Sequence, residues 1–231
     1  MPSDDRTISV YELGTTSYGD VHRLQRRLQA QRREGTGVDT LILTEHRPVL
    51  TLGRSHPVPN LRVAEDTVRN YGIEIHQTER GGDITYHGPG QLVAYAIIDL
   101  KRWNCAVLDY VTGLEESVIA VLADWGVTGE RVPRARGVWV EGRKIASLGL
   151  NVRRWVTMHG IALNIDPDMS HFDLINPCGM PDVEMTSLSA EVNKQVPMAE
   201  VTESFVFHFG RVFSCKAEMV DLSQRPAAAL H

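Results

Sequence analysis

The sequence predicts an α/β (α+β) fold: a mixed, largely antiparallel sheet flanked by helices. Three observations carry this expectation. First, apolar residues recur at three- and four-residue intervals near both ends of the chain, as in Val21, Leu24 and Leu28 or Val201, Phe205, Phe209 and Val212. That spacing places them on one face of a helix. Second, Leu92-Val93-Ala94-Tyr95-Ala96-Ile97-Ile98 is a continuous apolar run that reads as a buried strand. Third, residues 138–140, 145–152 and 156–165 are strand-like runs separated by turns at Glu141-Gly142-Arg143 and Arg153-Arg154. Consecutive strands with short turns form an antiparallel meander. A strand-rich middle with helices at both ends packs as helices on a sheet.

Taken in order, residues 7–14 form a first strand that Gly14 closes. The first helix follows and Gly35 ends it; its arginines between Arg23 and Arg33 read as a solvated face. Residues 40–44 are a strand, Glu45-His46-Arg47-Pro48 a turn, and residues 49–52 the returning strand. Residues 53–60 are a loop stiffened by two prolines. A short helix over 63–70 and a strand over 72–78 come next. Asn104 is placed to cap a third helix, with Val107, Val111, Leu114, Val118, Leu122 and Trp125 along one face and Gly126 at its end. Residues 166–185 have no period and contain three prolines, the mark of a functional or disordered segment in a compact domain. A last helix spans 199–213. Residues 222–231, with their alanine run, are expected to be a flexible tail. No repeat or linker divides the chain, so residues 1–221 are expected to form a single domain.

Composition excludes several classes. The 231 residues can bury a substantial core without disulfides. Hydrophobic residues are 42% and charged residues 23%, which is a globular and not a disordered balance. Net charge is −5 and no isolated Lys/Arg cluster stands out, so no nucleic-acid partner is expected. No apolar run reaches membrane-spanning length, and the acidic start Met1-Pro2-Ser3-Asp4-Asp5 has no apolar signal region. Cys105, Cys178 and Cys215 are odd in number and form no CxxC. That argues against a disulfide framework and a zinc site, and for a reducing, cytoplasmic compartment.

The densest stretch is Arg80-Gly81-Gly82-Asp83-Ile84-Thr85-Tyr86-His87-Gly88-Pro89-Gly90-Gln91. Glycines on both sides of a β-type trio let another backbone or a ligand approach closely. Two structural turns around a hairpin would explain the glycines alone. They do not explain why Arg80, Thr85, Tyr86 and His87 place polar groups beside bare backbone. Cys178 sits in Asn176-Pro177-Cys178-Gly179, where a rigid residue precedes the thiol and accessible amides follow, a suitable presentation for a nucleophile beside an oxyanion. Cys105 and Cys215 better fit the commoner fate of a small buried hydrophobe. Lys144 shares strand parity with Ala146 and Leu148. A lysine on an inward face loses hydration of its ammonium, a condition under which it can serve as a base, although a hairpin lysine more often reaches solvent. His87 and His159 are rival bases, and the residues alone do not choose among the three. Small residues in Ser147-Leu148-Gly149 and His159-Gly160-Ile161-Ala162 would leave a slot for an aliphatic chain beside Leu148 and Ile161, or simply allow close strand packing.

Together these blocks resemble the lipoyl(octanoyl) transferase family, the octanoyl-acyl-carrier-protein:protein N-octanoyltransferases. The resemblance is carried by Arg80 to Gln91, Gly142-Arg143-Lys144-Ile145-Ala146-Ser147-Leu148-Gly149, His159-Gly160-Ile161-Ala162-Leu163-Asn164, Pro177-Cys178-Gly179 and Thr186-Ser187-Leu188, in this order along most of the chain. It implies the catalytic-domain fold of biotin and lipoate protein ligases and a catalytic dyad of Cys178 and Lys144. It also implies an acyl site lined by Arg80, Gly81, Gly82, Asp83, Ile84, Thr85, Tyr86, His87, Ser147, Leu148, Gly149, Gly160, Ile161 and Ala162. The activity implied is transfer of an octanoyl or lipoyl group, through a cysteine thioester, to a lysine as the first step of protein lipoylation in lipoate biosynthesis. The donor would be octanoyl-acyl carrier protein. The acceptors would be lipoyl domains of 2-oxoacid dehydrogenases and the glycine cleavage H protein. A monomer is expected, with no cofactor, metal or membrane. Asp83 departs from the Gln or Lys more usual in the family and would put negative charge near the mouth, where it could alter carrier-protein docking. The alternatives are an ATP-dependent lipoate or biotin ligase, an amidotransferase between lipoyl domains, and a non-catalytic acyl-binding module.

Overall fold

The computed structural model describes residues 6–54, 60–177 and 183–221. Eight strands form the larger sheet: β1 (Thr7–Thr16), β2 (Thr40–His46), β6 (Gln91–Ile97), β7 (Glu130–Val132), β8 (Ala135–Val140), β9 (Arg143–Arg153), β10 (Val156–Asn164) and β11 (Lys216–Met219). Their order is β11-β1-β2-β6-β10-β9-β8-β7. β1 runs parallel to both β11 and β2, and every other pairing in this sheet is antiparallel. A smaller sheet of order β4-β3-β5 holds β3 (Val49–Leu52), β4 (Glu74–Gln77) and β5 (Ile84–His87), with the short helix α2 (Glu65–Asn70) between β3 and β4 in the chain. The mixed, largely antiparallel sheet with flanking helices is therefore as predicted.

Strand parity decides what each face buries. All seven residues of β6 are buried. Leu92, Ala94 and Ala96 join a core with helices α3 (Val107–Asp124) and α5 (Met198–Phe213). Val93, Tyr95 and Ile97 face the opposite way, toward α1 (Tyr18–Arg33). β6 and its neighbour β10 are covered on both faces, which is why they read as near-continuous apolar runs. The small sheet has its own core: Leu50, Ile84 and Tyr86 pack with Phe172, Leu174 and Ile175 of and after a 3₁₀ turn over Met169–Leu174. Thr85 and His87, on the other face of β5, are left to face the larger sheet.

Several sequence expectations need correction. β1 does not stop at Gly14; the chain takes φ +61° there, slips register between Glu12 and Thr15, and pairs on to Thr16. Residues 49–52 do not return along β2, because β3 leaves for the smaller sheet. Arg32 is not on a solvated face: it is buried in a bidentate pair with Asp39, at 2.6 and 3.2 Å. Such fork-to-carboxylate geometry is among the stronger polar contacts. Asn104 does not cap α3; it sits at φ +45°, and the cap position is Ala106 without a side-chain bond. The short edge strands β7 and β11 and the five-residue helix α4 (Leu188–Val192) carry too little period to be seen in advance. The hairpin turns hold: Glu141-Gly142 and Arg154-Trp155 each have two positive φ values, as a two-residue hairpin loop requires. The proline loop at 55–59 and the tail at 222–231 lie outside the described residues. Among the described residues, no helix is long and apolar enough to cross a membrane.

Candidate active site

The two sheets meet at a cleft. Its walls come from the glycine-rich bend (Arg80, Gly82, Asp83, Thr85, His87), from β9 (Ser147, Leu148, Gly149), from β10 (His159 to Ala162), from Val93 and Tyr95 of β6, and from Tyr18 at the start of α1. The cleft is narrow, with room of about 40 Å³, and opens to solvent. Val93, Leu148, Ile161 and Ala162 make its base apolar, and the polar groups collect where the bend crosses over.

The bend is fixed from both sides. The Gly81 amide donates to Leu150 O of β9 at 2.7 Å, and Gly53 and Arg54 donate to Asp83 O and Arg80 O at 3.1 and 3.0 Å. This close approach is why two glycines are needed. A Cβ on Gly53 would lie 2.2 Å from Gly82 O, and one on Gly149 2.9 Å from Arg80 Cδ and 3.1 Å from Gly81 O. The Arg80 side chain is buried and donates to Thr51 O at 2.6 Å, to Thr51 Oγ1 at 3.0 Å and to Gly81 O at 3.1 Å. Asp83 is buried too. Its carboxylate accepts from Asn60 Nδ2 and from the Ile84 amide, so it organises the turn and does not project a charge outward. The negative charge expected near the mouth is instead held inside the turn.

A chain of buried hydrogen bonds ties the bend to Lys144. His87 Nδ1 pairs with Gln91 Oε1 at 2.6 Å, Gln91 Nε2 donates to Asn164 Oδ1 at 2.8 Å, and Asn164 Nδ2 donates to Thr186 O at 3.0 Å. The Thr186 amide donates to Lys144 O at 3.0 Å, and the Lys144 amide to Glu184 O at 2.8 Å. Lys144 is 1% exposed, so the solvent-reaching reading is excluded. Its Nζ lies 5.3 Å from the centroid of the Trp139 ring, within cation–π range. Gly137, at φ +119°, makes room for it: a Cβ there would come within 2.8 Å of Lys144 Cε and 2.2 Å of Ala146 O.

Burial lowers the pKa of both rival histidines, His87 to about 4 and His159 to about 3. Each is a neutral imidazole at pH 7, and His87 is committed to Gln91. A base works best with a pKa near the operating pH, so neither is well placed for that role. His46 is held down to about 3 by burial as well, bonded through Nε2 to the Tyr95 hydroxyl at 2.8 Å. The hydroxyls of Tyr18 and Ser147, both cleft residues, are buried without a hydrogen-bond partner among the described residues. An unmade bond of this kind costs about 1–3 kcal/mol, and a bound polar group would recover it.

Eleven of the fourteen residues expected to line an acyl site lie on this cleft. Ile84 and Tyr86 do not, because β parity turns them into the small sheet's own core. Gly81 contributes its backbone, at Leu150 O. Cys178 lies outside the described residues. The flanking chain is described: the Asn176 amide donates to Asn60 O at 2.8 Å, and Glu184 and Thr186 bracket Lys144. Sequence reasoning missed Tyr18, Val93 and Tyr95. The last two were legible in principle from the odd parity of the 92–98 run; Tyr18 carries no local signal.

Residues 17–210 match the family described as lipoyl protein ligase A/B catalytic domain. The chain is 42% identical to an octanoyltransferase of Solibacter usitatus, over 97% of this chain and 98% of that protein. It is 45% identical to an octanoyltransferase of Chloroflexus aggregans, over 91% and 97%. Among solved structures, the bi-partite lipoate protein ligase of Thermoplasma acidophilum superposes with a TM-score of 0.73 over 97% of this chain and 90% of that one. At 13% identity that likeness speaks for the fold alone.

Proposed function

The chain belongs to the lipoyl protein ligase A/B catalytic-domain family, and from that premise we propose that it moves an octanoyl group from acyl carrier protein to a lysine of lipoyl domains through a thioester on Cys178. It is an acyltransferase, like the octanoyltransferases it resembles over nearly its whole length. The observation that carries the finer reading is the cleft: an apolar base for an alkyl chain, polar groups at the crossing bend, and Lys144 buried on β9, three residues before Ser147.

In the proposed reaction Lys144 accepts the Cys178 proton and the thiolate attacks the carbonyl of the carrier-bound octanoyl thioester. The tetrahedral intermediate collapses with loss of the phosphopantetheine thiol, which leaves with a proton. The acceptor lysine then attacks S-octanoyl-Cys178 as a free amine, its proton passes to Lys144, and the cysteine thiolate leaves. Thioester to thioester exchange is nearly isoenergetic and thioester to amide is downhill, so no ATP is required. The Gly81 and Ile84 amides already donate to Leu150 O and Asp83 Oδ1. Oxyanion stabilisation is proposed to fall to other donors, among them the Tyr18 and Ser147 hydroxyls on the cleft. The protein is proposed to act as a cytoplasmic monomer, with 2-oxoacid dehydrogenase lipoyl domains and the glycine cleavage H protein as acceptors.

The test supplies purified chain with octanoyl-acyl carrier protein and a lipoyl domain, without ATP. Octanoyl-lysine on the lipoyl domain is the expected product. ATP–pyrophosphate exchange dependent on free octanoate would instead identify a ligase.

A further inference from the structure

Outside the proposed chemistry, His22, Glu79 and His159 converge from three separate elements. His22 stands on α1, Glu79 precedes Arg80 in the bend, and His159 is on β10. One ligand atom from each lies within 4.8 Å of the others. His22 Nε2 is 2.7 Å and His159 Nε2 3.9 Å from the same oxygen, Glu79 Oε2. His159 is 2% exposed, and its Nε2 is a buried polar atom with no hydrogen-bond partner among the described residues.

We propose that these three residues bind a divalent transition-metal ion, with Zn²⁺ the best match. Two imidazoles and one carboxylate are an established three-ligand set for zinc, with the fourth position left to water. Ligand atoms held about 2.0–2.2 Å from a tetrahedral zinc lie about 3.4 Å from one another. The separations of 2.7 and 3.9 Å to Glu79 Oε2 therefore need adjustments of about 0.7 and 0.5 Å, and the two imidazole nitrogens, within 4.8 Å of each other, one of at most about 1.4 Å. The two carboxylate oxygens already face different ways. Arg26 Nε holds Glu79 Oε1 at 2.8 Å, which leaves Oε2 toward the two rings. Outer-shell contacts that orient first ligands are typical of metal sites. Two more are present. Asn151 Nδ2 donates to Glu79 O at 3.0 Å, and Gln25 Oε1 accepts from the His159 amide at 2.9 Å. The latter holds His159 at φ +63° in the middle of a strand.

Burial lowers the pKa of both histidines, so both are available as the neutral imidazoles a metal requires. Arg26 and Arg80 put positive charge nearby, so binding is expected to be weaker than that of a closed four-ligand site. An ion here joins α1, the bend and β10, three of the walls of the cleft. Ligation to the native state alone raises stability by mass action.

The test uses Co²⁺ as a spectroscopic probe and Zn²⁺ as competitor, on the full metal-free chain. One equivalent of Co²⁺ is expected to give visible d–d bands without thiolate charge transfer, and Zn²⁺ should displace it and raise Tm. His22→Asn and Glu79→Gln, each part-buried and each expected to fold, should weaken Co²⁺ binding by at least about tenfold, since second-shell changes alone reach 10–100-fold. Cys178→Ala should leave it unchanged. Absence of saturable binding, a thiolate spectrum lost in the Cys178→Ala chain, or unaltered affinity in His22→Asn would each overturn the proposal.

Discussion

The two sheets contribute different chemistry to one cleft. In the larger sheet, β6 and β10 are covered on both faces, and apart from Tyr95 and His159 the surface they offer to the cleft is small and apolar: Val93, Gly160, Ile161 and Ala162, with Leu148 of β9 beside them. In the smaller sheet the apolar residues Ile84 and Tyr86 turn away into a private core, and β5 offers Thr85 and His87 instead, with Arg80 anchored on Thr51 of β3. One sheet forms a slot and the other a polar cover. The hydrogen-bonded line from His87 through Gln91, Asn164 and Thr186 to Lys144 is what joins them. The difference teaches that the apolar slot and its polar cover come from separate layers, which can be perturbed separately.

The largest effect is expected at the proposed nucleophile. Cys178→Ala should abolish acyl-enzyme formation, whereas Cys105→Ala and Cys215→Ala should leave it intact; radiolabel retained on the protein after gel separation reads this out. A label persisting in the Cys178 variant would remove the nucleophile from the account. Lys144→Arg comes next. Arginine keeps the charge and similar reach but does not deprotonate in practice. Transfer to the lipoyl domain should fall by about 10²–10⁴-fold, the usual worth of a general base, even if some intermediate still forms. A loss within about threefold would refute the base role and return attention to His87 and His159.

The slot is probed by Gly149→Ala. Its Cβ would meet Arg80 Cδ at 2.9 Å and Gly81 O at 3.1 Å, forcing the bend off β9. Specificity constants for octanoyl donors should drop on the order of tenfold, the scale of one misplaced methyl in a hydrophobic site, and shorter acyl chains should suffer less. Equal loss for all chain lengths would show that Gly149 does not shape the slot. Gln91→Leu tests the connection between sheets. It leaves His87 Nδ1 and Asn164 Oδ1 without their partner, so unfolding free energy should fall by about 1–3 kcal/mol, measured by urea titration. An unchanged midpoint would mean that the buried line is not a structural tie.

How much of this was legible follows from where the signals are local. The paired helices, the 92–98 strand and the 138–165 meander announce themselves through period and turns, and they are where expected. Assignment of residues 49–52 to a hairpin with β2 failed because strand pairing is a tertiary choice, and nothing in Glu45-His46-Arg47-Pro48 reports that the chain changes sheets. Arg32 looked solvated because its partner, Asp39, lies beyond the helix, and β7 and β11 are too short for any period. At the site, the bend and the small-residue strands stand out by composition. Tyr18 does not, since an aromatic residue at a helix start looks like any core residue. Lys144 was legible only as a parity argument, and its burial over Trp139 depends on the space left by Gly137 on the neighbouring strand β8.

The central claim is that the acyl group is held on Cys178 before it reaches the acceptor. The most direct measurement is intact-mass analysis of the chain after brief incubation with octanoyl-acyl carrier protein and no acceptor, followed by peptide mapping. The account predicts one octanoyl group per chain, on the peptide containing Cys178, released by neutral hydroxylamine and discharged by addition of a lipoyl domain. No adduct, an adduct on a lysine or on Cys105 or Cys215, or an adduct that a lipoyl domain does not discharge would contradict it.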